Sequence, residues 1–101
     1  MRIEPKVYVI NNSGHDFSGA RSFGKLVFLS KGKVSSLPVN KYYRHFADKM
    51  KDITEHDYLL VTSLASLNLV AGWVVGSKGL PLNILLYKDG KYTVRTLKAT
   101  L

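Results

Sequence analysis

The sequence predicts a small three-layer α/β domain with a mainly parallel sheet, and three observations point there. Strand-like and helix-like segments alternate along the chain, the order expected of strands joined by helical crossovers. Four strand-like runs are continuously apolar, which suits strands covered on both faces. Asp89-Gly90 separates the last two strand-like runs, a strong signal for an antiparallel hairpin.

The elements follow in order. Val7–Ile10 is the first predicted strand, closed by Asn11-Asn12-Ser13-Gly14. Asp16 to Gly24 has room for a short helix only, with Asp16 as its cap and Gly24 as its end. Leu26–Leu29 is the second strand, closed by Ser30-Lys31-Gly32-Lys33. Asn40 then caps a helix from Lys41 to Ile53, whose apolar stripe is Val39, Tyr43, Phe46, Met50 and Ile53. Tyr58–Val61 is the third strand. Ser63 caps a second helix that runs to Ser77 and is apolar all round, as in a central helix or one at a contact between copies; Lys78-Gly79 and Pro81 end it. Ile84–Tyr87 and Tyr92–Leu97 form the closing hairpin, the last strand alternating as an edge strand does. A Rossmann-like or flavodoxin-like strand order of 2-1-3-4, with the hairpin strand beyond the fourth, accommodates all of these.

A length of 101 residues suits one domain. The hydrophobic fraction of 46% is enough for a core, which argues against disorder. The chain has no cysteine, which excludes a disulfide framework, a thiol nucleophile and a cysteine-type zinc site. No signal peptide is evident, since Met1–Lys6 leads straight into a strand-like run. The uncharged stretch from Tyr58 to Ser77 is 20 residues long, the length of a membrane span. Thr62, Ser63, Ser66, Asn68 and Gly72 interrupt it, and a strand–turn–helix unit explains that interruption where a single span does not. No membrane association is expected.

Fifteen Lys and Arg against seven Asp and Glu leave a formal charge of +8, which favours a negatively charged partner. In an open parallel sheet, ligands bind beyond the carboxyl ends of the strands, where strand order reverses. Here that point lies between strands one and three. Two small polar loops meet there: Asn12, Ser13, Gly14, His15 and Asp16 in one, Thr62, Ser63 and Ser66 in the other. Backbone N–H groups at helix starts and the hydroxyls can hold a phosphate, and Lys31 and Lys33 would stand at the rim. His15 could donate to a phosphate or exchange a proton, and Asp16 could hold a ribose hydroxyl. Neither the dinucleotide fingerprint nor the P-loop pattern is present. Ordinary turn chemistry accounts for the same residue types.

No catalytic constellation emerges, so the reading leans away from an enzyme. Ser13 and Ser18 lack an elbow motif, and His15, His45 and His56 lack metal-ligand spacing. No metal or cofactor is expected. Asp48, Asp52, Glu55 and Asp57 read as a solvated helix end. A second class of function, nucleic-acid binding, rests on Lys31, Lys33, Lys41, Tyr42, Arg44 and Lys49 as a phosphate-contacting face. Tyr42 is the exposed aromatic of that face, while Tyr43 and Phe46 pack inward.

The segments Tyr8-Val9-Ile10-Asn11-Asn12-Ser13-Gly14-His15-Asp16-Phe17, Asp57-Tyr58-Leu59-Leu60 and Asn83-Ile84-Leu85-Leu86-Tyr87 resemble small α/β hypothetical proteins of tailed bacteriophages. The likeness covers nearly the whole chain, and Ser-Gly-His-Asp is its most specific piece. It implies expression in the cytoplasm of an infected bacterium. The expectation is a small non-catalytic binding protein whose strand-end pocket holds a nucleotide or another phosphate-bearing ligand and could sequester it. The alternatives are a nucleic-acid-binding protein and an inhibitor that binds a host protein, with a homo-oligomer contact available on the helix from residue 64 to 76.

Overall fold

A computed structural model describes residues 4–35 and 37–99. It shows an α/β fold around one mixed sheet in the order β2-β1-β3-β4-β5. The strands are β1 (Lys6–Val9), β2 (Lys25–Phe28), β3 (Tyr58–Leu60), β4 (Leu82–Lys88) and β5 (Lys91–Leu97). The first four are parallel, and β5 returns antiparallel to β4.

Val7, Val9, Leu60 and Leu85 pack on one side of the sheet with Phe17 and Ala20, which belong to or flank the 3-10 turn Ser18–Ser22. Tyr8, Ile10 and Leu59 face the other side. There they meet Phe46 and Met50, from α1 (Val39–Lys49) and its end, and Leu67, Ala71, Val74 and Val75 of α2 (Ala65–Ser77). Both faces of β1 are covered, so its sequence has no polar alternation. The chain moves one way across the sheet from β1 to β2, and the opposite way from β2 to β3 and from β3 to β4. Crossovers of a single hand then require the first connection on one face and the next two on the other. That is the observed distribution.

Several expected boundaries shift, each for a local reason. α1 starts at Val39, because the Pro38 carbonyl already accepts from the N–H groups of Lys41 and Tyr42. Asn40 therefore lies inside the helix and is not its cap. The helix stops at Lys49, and Met50 to Ile53 form a turn instead. Its buried ridge is Tyr42, Phe46 and Met50, four residues apart, with Ala47 and Ile53 beside it. Val39 and Tyr43 are exposed, Tyr43 at 37%. The expected inward and outward tyrosines are thus exchanged.

Nor is Ser63 the cap of α2. Leu64 holds that position, with its N–H donating to Thr62 Oγ1 at 3.4 Å and its carbonyl accepting from Asn68. Asp16 is one place short of a cap: Phe17 has that position, while the Asp16 carboxylate accepts from the Ser18 N–H at 2.9 Å. Of the two settings expected for α2, the fully central one does not hold, since Leu69 and Trp73 are 75% and 70% exposed.

Two close constraints fix the ends of the sheet. A side chain at Gly24 would collide with the Pro5 carbonyl, which accepts from Lys25 N–H where β2 enters the sheet. Asp89 and Gly90 both have positive φ, 53° and 81°, the backbone of a two-residue hairpin turn whose twist matches the strands. At the amino ends of the strands Asp57 is only 7% exposed. Its carboxylate accepts from the backbone N–H of Lys6 and of Thr54, both at 2.8 Å. It is a buried tie between β1 and the turn before β3, not part of a solvated helix end. No helix among the described residues is long and apolar enough to cross a membrane.

Candidate functional site

Three loops leave the carboxyl ends of β1, β2 and β3 on the same edge, and hydrogen bonds stiffen each. After β1, the Asn11 side chain is spent on structure: its Nδ2 donates to the Gly32 carbonyl at 3.0 Å, and its Oδ1 accepts from Ser30 Oγ at 2.8 Å. The Asn12 backbone pairs with the β2 loop through Ser30 and Gly32, and Asn12 Oδ1 accepts from the Gly14 N–H at 3.2 Å. These bonds extend the β1–β2 pairing past the strands as a short parallel bridge between Asn12 and Lys31. After β3, Asn68 of α2 reaches back to grip Thr62. Its Oδ1 accepts from the Thr62 N–H at 3.2 Å and its Nδ2 donates to the Thr62 carbonyl at 2.7 Å. A side-chain amide here imitates a neighbouring strand, which satisfies both peptide groups of Thr62 where the sheet has ended.

Between these loops lies a cavity of about 720 Å³. Ser13, His15 and Asp16 line it from the β1 loop, Gly32, Lys33 and Val34 from the β2 loop, and Thr62, Ser63 and Leu64 from the β3 loop. Asn11 and Leu60 contribute from the strand ends. Ser13, His15, Asp16, Lys33 and Ser63 are exposed and Thr62 is half-buried, so polar groups are available where the chain turns.

The remaining sequence-predicted residues play other parts. Asn12 and Gly14 build the turn, Lys31 sits in the bridge, and Ser66 lies on the first turn of α2; none of the four lines the cavity. Asp16 does, although one carboxylate oxygen already accepts from Ser18. Hydrogen bonding from Ser18, with Arg21 nearby, holds its pKa below the ordinary carboxylate value.

The sequence reading missed the aromatic wall. Phe17, Tyr87 and Tyr92 complete the cavity lining. Phe17 is nearly buried, tilted against Phe28 with centroids 6.0 Å apart, and the His15 ring meets it edge-on at 6.2 Å. Tyr87 and Tyr92 face one another across the β4–β5 ladder, with centroids 5.0 Å apart and planes at 65°. The Tyr92 phenol has a raised pKa, through burial first and then the neighbouring Tyr87 and Asp16. The signal for this wall was the hairpin itself: a turn at Asp89-Gly90 sets Tyr87 and Tyr92 opposite each other at the carboxyl end of β4.

A family model described as Phage Pam3 gp32-like protein matches residues 5–99. The chain belongs to that family. No curated protein and no solved structure matches it. The match to the Phage Pam3 gp32-like family runs from the residue before β1 to the residues after β5, so all three site loops and the hairpin fall within it.

The basic face envisaged for nucleic acid is differently composed in this family member. Lys31 and Lys33 lie on the β2 loop, while Lys41 and Arg44 are exposed on α1. Lys49 is tethered, its Nζ donating to the Phe28 carbonyl at 3.0 Å. Tyr42 is half-buried, with its ring against Phe46 at 5.9 Å. The exposed tyrosine of α1 is Tyr43, which lies outside the predicted set.

Proposed function

We propose that this phage-family chain is a small non-catalytic protein that binds a phosphate-bearing ligand, a nucleotide included, at the carboxyl ends of its strands. We read the sheet as a small Rossmann-like one, in which the reversal of order beside β1 is where ligands settle. One observation carries the proposal: the cavity between the β1, β2 and β3 loops gathers Ser13, His15, Lys33, Thr62 and Ser63 around one space. Hydroxyls and a lysine ammonium are donors suited to phosphate oxygens. The loops are stiffened by Asn11, Asn12 and Asn68, so little ordering is needed on binding. Sequestering such a ligand in the cytoplasm of an infected bacterium would need no chemistry beyond this.

Thermal shifts with nucleotides, inorganic phosphate and short oligonucleotides at two salt concentrations test the reading. A salt-tolerant rise with a small phosphate-bearing ligand, abolished by Ser63→Ala together with His15→Ala, is the expected result. A rise with oligonucleotides alone, collapsing at high salt, would favour the basic face instead. No rise with any of them would overturn both and leave a host protein as partner.

The outward flank of α2 favours a second, compatible reading, a contact between copies. Leu69 and Trp73 stand exposed beside a groove lined by Gly72, Gly76, Ile84 and Leu97. Under this reading light scattering reports a dimer that Trp73→Glu converts to a monomer. A monomer at every accessible concentration would contradict it.

A further inference from the structure

We infer that the cavity is shaped for a nucleoside monophosphate, with its base against the Tyr87–Tyr92 wall and its phosphate toward Lys33 and Ser63. The inference rests on the proposed phosphate-binding role and narrows it.

A phosphate alone would use only one side of the space. The opposite side is aromatic: Tyr87 pairs with Tyr92 across the strands, yet it remains 66% exposed at the cavity. Tyr92 holds it edge-on, so Tyr87 keeps a ring face free of that contact. Phe17 supplies an apolar floor, and the His15 ring stands on its edge. Planar bases of any sequence stack on such rings. Asp16 lines a smaller adjoining hollow together with Tyr87 and Tyr92, which puts a carboxylate acceptor on the base-and-sugar side, away from the need to meet phosphate. Lys33 is the one lysine lining the cavity; Lys31 does not. One ammonium matches one phosphate better than three. The volume of about 720 Å³ lies within the range of small-ligand pockets, roughly 300–1,000 Å³.

Calorimetric titration of the full chain with adenosine monophosphate, uridine monophosphate, adenosine and ribose phosphate tests this. Both nucleotides should bind more tightly than ribose phosphate or adenosine. Tyr87→Leu, which keeps apolar bulk on a strand but removes the ring, should weaken the nucleotides by about fivefold or more and leave ribose phosphate unchanged. Tyr87→Phe should restore nucleotide binding. Equal binding of ribose phosphate and nucleotides, indifferent to Tyr87→Leu, would overturn the base-stacking wall while the phosphate site stood. Failure of every phosphate-bearing probe to bind would overturn the phosphate-binding role as well.

Discussion

Lys31 and Lys33 are two residues apart and look equivalent in sequence, yet only Lys33 lines the cavity. Lys33→Ala should weaken a phosphate-bearing ligand by about three- to tenfold, the worth of one solvent-accessible charge-assisted contact. Lys31→Ala should change affinity far less, and titration calorimetry separates the two. Asn11 illustrates the opposite lesson. Its residue type and loop suggest a ligand contact, but both ends of its amide are already occupied by Ser30 and Gly32. Asn11→Ala is expected to cost about 1 kcal/mol in chemical denaturation, because Ser30 and Gly32 lose their bonds to it. Tyr8 has a pKa raised to about 12, by burial first and then by Asp57 and Asp52. The folded state favours the neutral phenol, so this contribution is fully present below pH 10 and is lost as pH rises toward the folded value. Stability should fall across that interval by about 1–2 kcal/mol once solvent screening of the phenol is allowed for, and the Tyr8 share of the fall should vanish in Tyr8→Phe, as alkaline denaturation curves would show.

At the level of elements, the strands were legible and the helix ends were not. Val7 to Ile10 is apolar on every residue because the sheet is covered twice, and that signal does not depend on distant partners. A cap depends on which carbonyl the chain offers first. At α1 Pro38 supplies it, so Asn40 is left inside the helix. At α2 the work attributed to Ser63 is divided between Thr62 and Asn68. In the sequence Asn68 is only a polar interruption of an apolar run; its role appears once α2 folds back over the end of β3. Asn68→Ala should destabilise by about 1–2 kcal/mol and raise the hydrogen-exchange rate of the Thr62 amide above that of Leu59. Unchanged protection at Thr62 would contradict the clamp.

Across the whole molecule, strand order converts scattered polar residues into one edge. The two loops beside β1 could be predicted from alternation and topology alone, because the reversal point follows from the order of the strands. The aromatic wall was legible only through the Asp89-Gly90 turn, whose two-residue loop sets the β4–β5 register and so places Tyr87 against Tyr92. The charge of +8 acts at this scale too. Spread over exposed lysines, it should make encounter with any anion faster at low salt, whereas a ligand seated in the cavity should stay bound as salt rises. The most direct measurement of the central claim is a map of amide chemical shifts during titration with a nucleoside monophosphate. Changes confined to residues 11–16, 32–34, 60–64 and 87–92, persisting at high salt, are the predicted result. Changes centred on Lys41, Arg44 and Lys49 of α1 that fade with salt, or no changes at all, would contradict it.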